Sequence, residues 1–258
     1  MLSIVVRTIG QNFFLLNRAI ESIIDNTFKE KQIIVVYQGV DLEVFCKIKA
    51  SLSIFDDEVN MSFIHNNTLL DERSKNLNLG LGVVKGKYLA FLDDDDYLER
   101  NHYQNLINAL NKNEATLAYS LAKIVGEDNK EKAFPFKGRY LDKISMLKDN
   151  FITIHSFVLS LEKISLDKLS FNENLVLAED YVFILPIYLF EKIVFVKEKT
   201  ASYFIKEEES KSFIDSNKSN LRKNQRALMK SLRKEFKISL LEKIKLHIKR
   251  LFGLTPRA

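Results

Sequence analysis

The sequence predicts an α/β fold with a mostly parallel central sheet flanked by helices, and two patterns predict it. Short β-branched or apolar runs alternate with segments of helical period through the first part of the chain. One of these runs, Tyr88-Leu89-Ala90-Phe91-Leu92, stops on four consecutive carboxylates, Asp93 to Asp96. Aspartate is among the poorest strand formers, so the acids mark where that strand leaves the sheet. Open α/β sheets bind their ligands at that edge.

The elements follow in order. Ser3 to Val6 reads as a strand, and Asn12 to Asn26 as a helix with Leu16, Ile20, Ile23 and Ile24 on one face. Gln32 to Tyr37 is a second strand, since Ile33-Ile34-Val35-Val36 is β-branched throughout. A helix around Leu42 to Leu52 leads to a strand over Val59 to His65, then come a helix over about Glu72 to Val84 and the strand Tyr88 to Leu92. Beyond the acids lie a helix near Glu99 to Asn111, an apolar run from Leu117 to Val125, and a polar stretch, Gly126 to Lys132, that reads as a loop. Ile152 to Ser160 reads as strand, and Tyr181 to Phe190 as a buried helix that Pro186 kinks or limits. Strands joined by helices of this length imply right-handed crossovers in a parallel sheet.

Composition narrows the class. A chain of 258 residues with 46% hydrophobic content can bury a full core and carry an appendage. The single Cys46 excludes an internal disulfide or a cysteine metal cluster, and a reduced, cytoplasmic setting is expected. The start, Met1-Leu2-Ser3-Ile4, has neither a basic leader nor a small-residue cleavage site, so secretion is not indicated. Val182 to Phe190 is too short to span a bilayer, which takes ~20 apolar residues. His65, His102, His155 and His247 are too scattered for a helical zinc site. The net charge of +5 hides an asymmetry: residues 1–196 carry 22 Lys and Arg against 27 Asp and Glu, whereas residues 197–258 carry 17 against 7. The two parts have different jobs.

Three strand ends meet at the carboxyl edge. The first offers Arg7-Thr8, the second Gln38-Gly39, and the fourth the acidic run. Four adjacent carboxylates repel unless a cation neutralises them, and hard oxygen ligands suit Mg²⁺ or Mn²⁺; the plainer reading is a solvated acidic loop. Basic and hydrogen-bonding groups beside acids suit a nucleoside diphosphate held partly through a metal. There is neither GxGxxG nor GxxxxGK[ST], and Gly80-Leu81-Gly82 is a weak glycine pair within a helical pattern, so dinucleotide and P-loop readings fail.

Four segments resemble glycosyltransferase family 2, the inverting enzymes of GT-A (Rossmann-like) fold. They are Ser3-Ile4-Val5-Val6-Arg7-Thr8 with Arg18-Ala19-Ile20-Glu21-Ser22-Ile23 behind it; Ile33-Ile34-Val35-Val36-Tyr37-Gln38-Gly39; Arg73-Ser74-Lys75-Asn76-Leu77-Asn78-Leu79-Gly80 running into Gly86 to Asp96; and Leu177-Ala178-Glu179-Asp180-Tyr181. They cover most of residues 1–190 in the family's order. The resemblance implies that Asp93 and Asp95 fill the DxD positions. Asp95 would then be a metal ligand, with Asp93 holding the ribose or sharing the metal. Thr8, Arg73 and Asp94 fall on the donor-binding side. Gln38 stands where the family usually has an acid that reads the base, which leaves uracil, guanine and thymine nucleotides open.

The same resemblance makes Asp180 the catalytic base. In an inverting transfer, a carboxylate within hydrogen-bond reach takes the proton of the attacking hydroxyl. Glu179 would orient a loop or contact the acceptor; the pair would equally serve the first turn of the following helix, where acids are favoured. His155 falls on the acceptor or leaving-group side in relatives, and otherwise reads as a packed histidine. His65 closes a loop.

From about Asp215 the chain turns helical and cationic. Leu221, Leu228 and Leu232 stand among Arg222, Lys223, Arg226, Lys230, Arg233 and Lys234; Leu241, Ile244, Ile248, Leu251 and Phe252 stand against Lys243, Lys245, Lys249 and Arg250, with Gly253 and Pro256 ending the run. Two readings stand: peripheral contact with an anionic membrane, or packing on the domain or a second copy. Nucleic acid is disfavoured because no recognised module accompanies the charge. The expected organisation is a GT-A domain over residues 1–205 and a basic amphipathic extension over 206–258.

The expected function is metal-dependent, inverting transfer of a sugar from a nucleotide-sugar donor to a hydroxyl of a glycan or lipid-linked acceptor in bacterial surface-polysaccharide biosynthesis. Much Lys, Asn, Ile and Phe without Trp fits a bacterial, AT-rich origin. The rivals are a non-catalytic nucleotide-sugar-binding module that docks a glycan assembly complex at the membrane, and a nucleotidyltransferase, whose Gly-rich, lysine-bearing loop is absent.

Overall fold

A computed structural model describes residues 1–55, 57–128, 130–132, 138–175, 177–205, 231, 236 and 239–258. Its strands are β1 (Leu2–Thr8), β2 (Lys31–Gln38), β3 (Asn60–Asn66), β4 (Tyr88–Asp93), β5 (Tyr97–Leu98), β6 (Leu117–Tyr119), β7 (Ala122–Gly126), β8 (Glu131–Lys132), β9 (Phe157–Ser160), β10 (Ile193–Phe195) and β11 (Ala201–Ile205). Its helices are α1 (Phe13–Ile24), α2 (Leu42–Leu52), α3 (Arg73–Leu81), α4 (His102–Asn113), α5 (Lys143–Lys148), α6 (Glu179–Phe190) and a C-terminal helix, Leu240–Leu251.

The main sheet runs in the order β10-β6-β9-β4-β1-β2-β3. β3, β2, β1 and β4 are parallel, β9 is antiparallel to both β4 and β6, and β10 is parallel to β6. The sheet is thus mostly parallel, as expected. Its inner strands are apolar at nearly every position because both faces are covered. Leu2, Ile4 and Val6 of β1, with Ile33 and Val35 of β2, face a core closed by Leu16, Ile20 and Ile23 of α1 and by Leu106 and Leu110 of α4. Val5, Ile34, Val36 and Phe91 face the opposite core, closed by Leu77 of α3 and by Tyr181, Ile184 and Leu185 of α6. Each such side chain, nearly or fully buried, contributes about 1.5–3 kcal/mol relative to exposure.

Local chemistry sets the helix starts. Asn12 Oδ1 accepts from Leu15 N–H, and Asp41 Oδ1 from Glu43 and Val44 N–H, so α1 and α2 begin where their caps stand. Gly80 belongs to α3 by close approach: a Cβ there would lie 2.4 Å from Val5 Cγ1. Helix α6 runs through Pro186 to Phe190 without a break.

Three segments differ from the sequence expectation. The apolar run Leu117 to Val125 is two strands in two sheets: at Ser120, whose N–H donates to Ser156 O, the chain leaves β6 and enters β7. β7 belongs to a four-stranded sheet, β5-β11-β7-β8, which hydrophobic periodicity did not reveal because β5 and β8 have two residues each. β8 lies within the stretch read as a loop. The run from Ile152 opens with a 3₁₀ turn, Ile154–Ser156, closed by Ser156 donating to Thr153 O, before β9 begins.

The first half of the expected basic extension, Leu221 to Lys234, lies outside the described residues apart from Ser231. The second half is the C-terminal helix, and it stops at Leu251 just before Gly253, at φ +67°.

Candidate active site

Parallel pairing brings the expected strand ends together. Arg7 is the register partner of Asp93 across β1 and β4, and Gln38 is that of Asn66 across β2 and β3. Beyond these ends opens a cavity of about 470 Å³. Thr8, Gln38, Arg73, Asp93, Asp94 and Asp95 all line it, with Arg7, Asn12, Asn76, Tyr203 and Phe204 among the others.

Arg7 organises the floor. Its Nε and Nη2 donate to Asp93 Oδ1 and Oδ2 at 2.5 and 3.0 Å, and its Nη1 donates to Glu179 Oε1 at 2.6 Å. One guanidinium fork thereby ties the end of β4 to the start of α6. Burial by itself would raise the Asp93 carboxyl, yet the Arg7 charge and hydrogen bonds hold it below the ordinary value. Burial would likewise lower Arg7, and the two carboxylates more than offset it.

The acidic turn is held from both sides. Thr8 Oγ1 donates to Asp94 Oδ2 and accepts from Gly10 N–H at 3.0 Å. Gly10, at φ +69°, is where the loop after β1 turns back; a Cβ there would lie 2.6 Å from Val44 Cγ1. Arg18 Nη2 donates to the carbonyl of Asp95 at 2.6 Å, its guanidinium lying 4.5 and 4.7 Å from the ring centroids of Tyr97 and Phe204. Asp96 turns inward, fully buried, 2.7 Å from His155 Nδ1, and its Oδ1 accepts from Phe204 N–H. The two buried groups are close enough for an ion pair. Burial lowers the His155 imidazole, but Asp96 more than reverses this, so it stays above its usual value.

His155, 1% exposed and stacked on Tyr203, therefore braces the acidic turn from beneath instead of standing at an open acceptor face. Glu179 is similarly drawn inward, 5% exposed, by Arg7. Both side chains are occupied by buried charge partners, which their positions in sequence could not disclose.

Gln38 sits in a polar net. Its Oε1 accepts from Asn76 Nδ2 at 2.7 Å and from Glu72 N–H at 3.1 Å, and Asn66 Nδ2 donates to Asn76 Oδ1. Arg73 Nε donates to Asp71 Oδ1 at 3.1 Å, both side chains about half exposed. His65 Nε2 lies 2.6 Å from Gly39 O, and its ring stacks on Tyr37 and Phe45, so it closes this loop.

Asp180 lies in the first turn of α6, after Ala178 in the left-handed region at φ +58°, a backbone posture disfavoured outside glycine. Its Oδ1 accepts from Tyr181 N–H at 2.7 Å and its Oδ2 from Asn150 Nδ2 at 3.1 Å. Burial first, then the adjacent Glu179 charge, push its carboxyl up to about 7. A carboxylate so placed is matched to accepting a proton near neutral pH.

In the sequence Arg7 is only a basic strand end and Asn150 an unremarked polar residue; the structure puts both in contact with the acidic groups of the site. The available signal for Arg7 was a lone charge closing an apolar strand next to one that ends in acids. Asn150 carried none.

For a divalent cation, hard carboxylate oxygens are present at the cavity wall. Arg7 engages both oxygens of Asp93 and Thr8 engages Asp94, and no group of three metal-ligating side chains occurs among the described residues. Asp95 lines the cavity with a hard oxygen donor. Mg²⁺ sites commonly take one or two carboxylates and complete their shell with substrate phosphate and water.

The sequence model described as Glycosyl transferase family 2 matches residues 3–165. A GalNAc(5)-diNAcBac-PP-undecaprenol beta-1,3-glucosyltransferase of Campylobacter jejuni is 28% identical over 175 residues, covering 67% of this chain and 55% of that protein. An uncharacterized glycosyltransferase of Haemophilus influenzae is 30% identical over 105 residues, covering 38% and 29%. Among solved structures, S. aureus TarS 1–349 in complex with UDP-GlcNAc superposes with a TM-score of 0.64 at 16% identity, covering 80% of this chain and 59% of that one. Mannosyltransferase PcManGT from Pyrobaculum calidifontis, in complex with GDP-Man and Mn²⁺, gives 0.57 at 11% identity, covering 78% and 56%. The fold is that of these structures, and the chain spans only part of the length of the relatives it matches.

Proposed function

Because the chain belongs to glycosyl transferase family 2, we propose that it transfers a sugar from a nucleotide-sugar donor to a hydroxyl of a surface glycan or its lipid-linked precursor, with inversion at the anomeric carbon. The observation that carries this reading is the cavity at the carboxyl edge: basic, amide and acidic strand ends converge there, and Arg7 joins its floor to the turn that bears Asp180.

In this reading the donor's nucleoside lies against β1 and β2. Thr8 and Arg73 hold it from the rim, and Gln38, whose Oε1 is committed to Asn76 and Glu72, meets the base through its Nε2 amide. Asp95 is the residue that would hold Mn²⁺ or Mg²⁺, the bound cation supplying Lewis-acid neutralisation of the diphosphate. Asp93, already neutralised by Arg7, shapes the floor and meets the ribose. Asp180 accepts the acceptor hydroxyl's proton, and one such carboxylate suffices for a single displacement with inversion. Asn150 fixes its orientation and Glu179 its proton affinity.

The relatives support the substrate classes: one is named for an undecaprenol-linked glycan, and the solved neighbours were captured with UDP-GlcNAc and with GDP-Man and Mn²⁺. An acceptor carried on lipid is met at the inner face of the cell membrane.

The test is nucleoside diphosphate release from a panel of UDP, GDP and dTDP sugars with Mn²⁺ or Mg²⁺ and candidate acceptors. Acceptor-stimulated turnover of one donor, reduced at least tenfold in Asp95→Asn, is expected. Donor binding without turnover across the panel would favour a docking module, and pyrophosphate release would favour a nucleotidyltransferase.

A further inference from the structure

The C-terminal helix is attached to the domain by its charged side and turns its apolar side away. Glu242, Leu246 and Arg250, spaced four apart, form the inner strip. Lys143 Nζ donates to Glu242 Oε1 at 2.7 Å, and Arg250 forms a fork on Asp142, Nε to Oδ2 at 2.6 Å and Nη2 to Oδ1 at 2.7 Å, while lying over the Tyr140 ring. The chain after the helix is pinned too: Ala258 N–H donates to Arg139 O, and Gly138 and Leu141 N–H donate to Ala258 and Pro256 O. On the far side, Leu241, Leu251 and Phe252 are 63, 71 and 74% exposed, and Ile244 and Ile248 are 48 and 47% exposed.

A helix that packed by the hydrophobic effect would bury that stripe. This one turns the opposite, half-buried strip to the domain, and among the described residues its apolar face stays exposed. Lys245 and Lys249 border the stripe on one side, and His247 and then Lys243 on the other, all exposed. Lysines bordering an apolar stripe suit a surface that is apolar inside and anionic at its rim, with the alkyl stems lying along the apolar zone and the ammonium groups reaching outward. An isologous pairing with a second copy would instead bring these lysines near one another. No described helix is long and apolar enough to cross a membrane.

We propose that this helix lays Leu241, Ile244, Ile248, Leu251 and Phe252 into the interface of an anionic lipid bilayer. The consequence for the site follows from the chain. Asp142, which receives Arg250, also caps α5, and Asn150, two residues beyond α5, holds Asp180. The bilayer contact is thereby tied to the segment that orients the proposed base. That last step rests on the transferase reading; the bilayer contact does not.

The test is co-sedimentation of the purified full chain with vesicles of phosphatidylcholine, with and without phosphatidylglycerol. Folding is checked by circular dichroism, and mass in solution by light scattering. Wild type is expected to sediment with the anionic vesicles and to dissociate between about 0.1 M and about 1 M salt, as the screening length falls from ~10 to ~3 Å. Ile244→Glu with Ile248→Glu should weaken binding at least tenfold with the fold intact. Lys245→Glu with Lys249→Glu should weaken it more on anionic than on neutral vesicles, on the order of fivefold per lysine. No binding by wild type, binding untouched by either pair, or a dimer that the isoleucine pair dissolves would each overturn the proposal. Nucleoside diphosphate release with a water-soluble acceptor, measured in parallel, should be unchanged in the isoleucine variant. Lost vesicle binding with turnover kept thus separates this contact from the transferase reading.

Discussion

Replacing Arg7 by Met removes the cation that two carboxylates share. The side chains of Arg7, Asp93 and Glu179 are 16, 21 and 6% exposed, so the partners left behind keep little access to water. Breaking a buried pair from one side costs ~3–5 kcal/mol because the remaining charge is uncompensated. The partial exposure of Asp93 places this case near the lower end, about 3 kcal/mol. For a chain of this size, 1 kcal/mol moves Tm by ~2–4 °C, so a fall of roughly 6–12 °C is expected. The loss also has a pH signature. With Arg7 present, the Asp93 carboxyl is held low, so its stabilising contribution is present at neutral pH and is lost only as pH falls through that lowered pKa. Without Arg7, burial raises the same carboxyl, and the variant loses stability as pH rises. The gap between the two proteins must therefore be wider at about pH 8 than at about pH 5. Urea denaturation followed by circular dichroism at the two pH values measures it, and adding Asp93→Asn to Arg7→Met should recover part of the loss at the higher pH. A gap below about 1 kcal/mol, equal at both pH values, would refute the reasoning, since that is the size of an exposed pair.

Three further outcomes follow from the same geometry. Because Glu179 helps push the Asp180 carboxyl up to about 7, turnover should rise with pH through that region, and Glu179→Gln should move the inflection of kcat to lower pH; an unmoved profile would exclude the coupling. Asn150→Ala removes a hydrogen bond to the base worth ~1.5–3 kcal/mol when that base is charged, so kcat should fall about tenfold or more with donor affinity unchanged, as kinetics and calorimetry would report. The anomeric proton of the product, read by NMR, should show a β linkage from an α-linked donor; an α product would require a second displacement that Asp180 alone does not provide.

The parallel half of the fold was legible because β1, β2 and β4 are buried on both faces, and unbroken β-branched runs such as Ile33 to Val36 have few other uses. Helix α2, expected around Leu42 to Leu52, begins at Leu42, where the Asp41 side chain caps it. The small sheet was not, since Tyr97–Leu98 forms a strand only through Ala201 and Ser202, far along the chain, and Glu131–Lys132 is a two-residue strand of a local hairpin inside a polar stretch. At the site, residue types disclosed where the acids and amides gather, but not which were already engaged. That Asp93 belongs to Arg7, that Asp96 turns inward to His155, and that Glu179 faces the domain are consequences of burial, which appears only once β1, β4 and α6 are packed. The C-terminal helix was amphipathic by inspection, yet nothing in its period said that Asp142 would hold the charged strip and leave the apolar one outward.

The most direct test of the account is single-turnover transfer by Asp180→Asn beside wild type, with the matched donor, metal and acceptor, and with donor affinity measured on the same samples. Donor binding should be unchanged and the rate lowered by ~10²–10⁴, the range for losing a positioned general base. Transfer by Asp180→Asn within a few-fold of wild type at equal donor occupancy would contradict it.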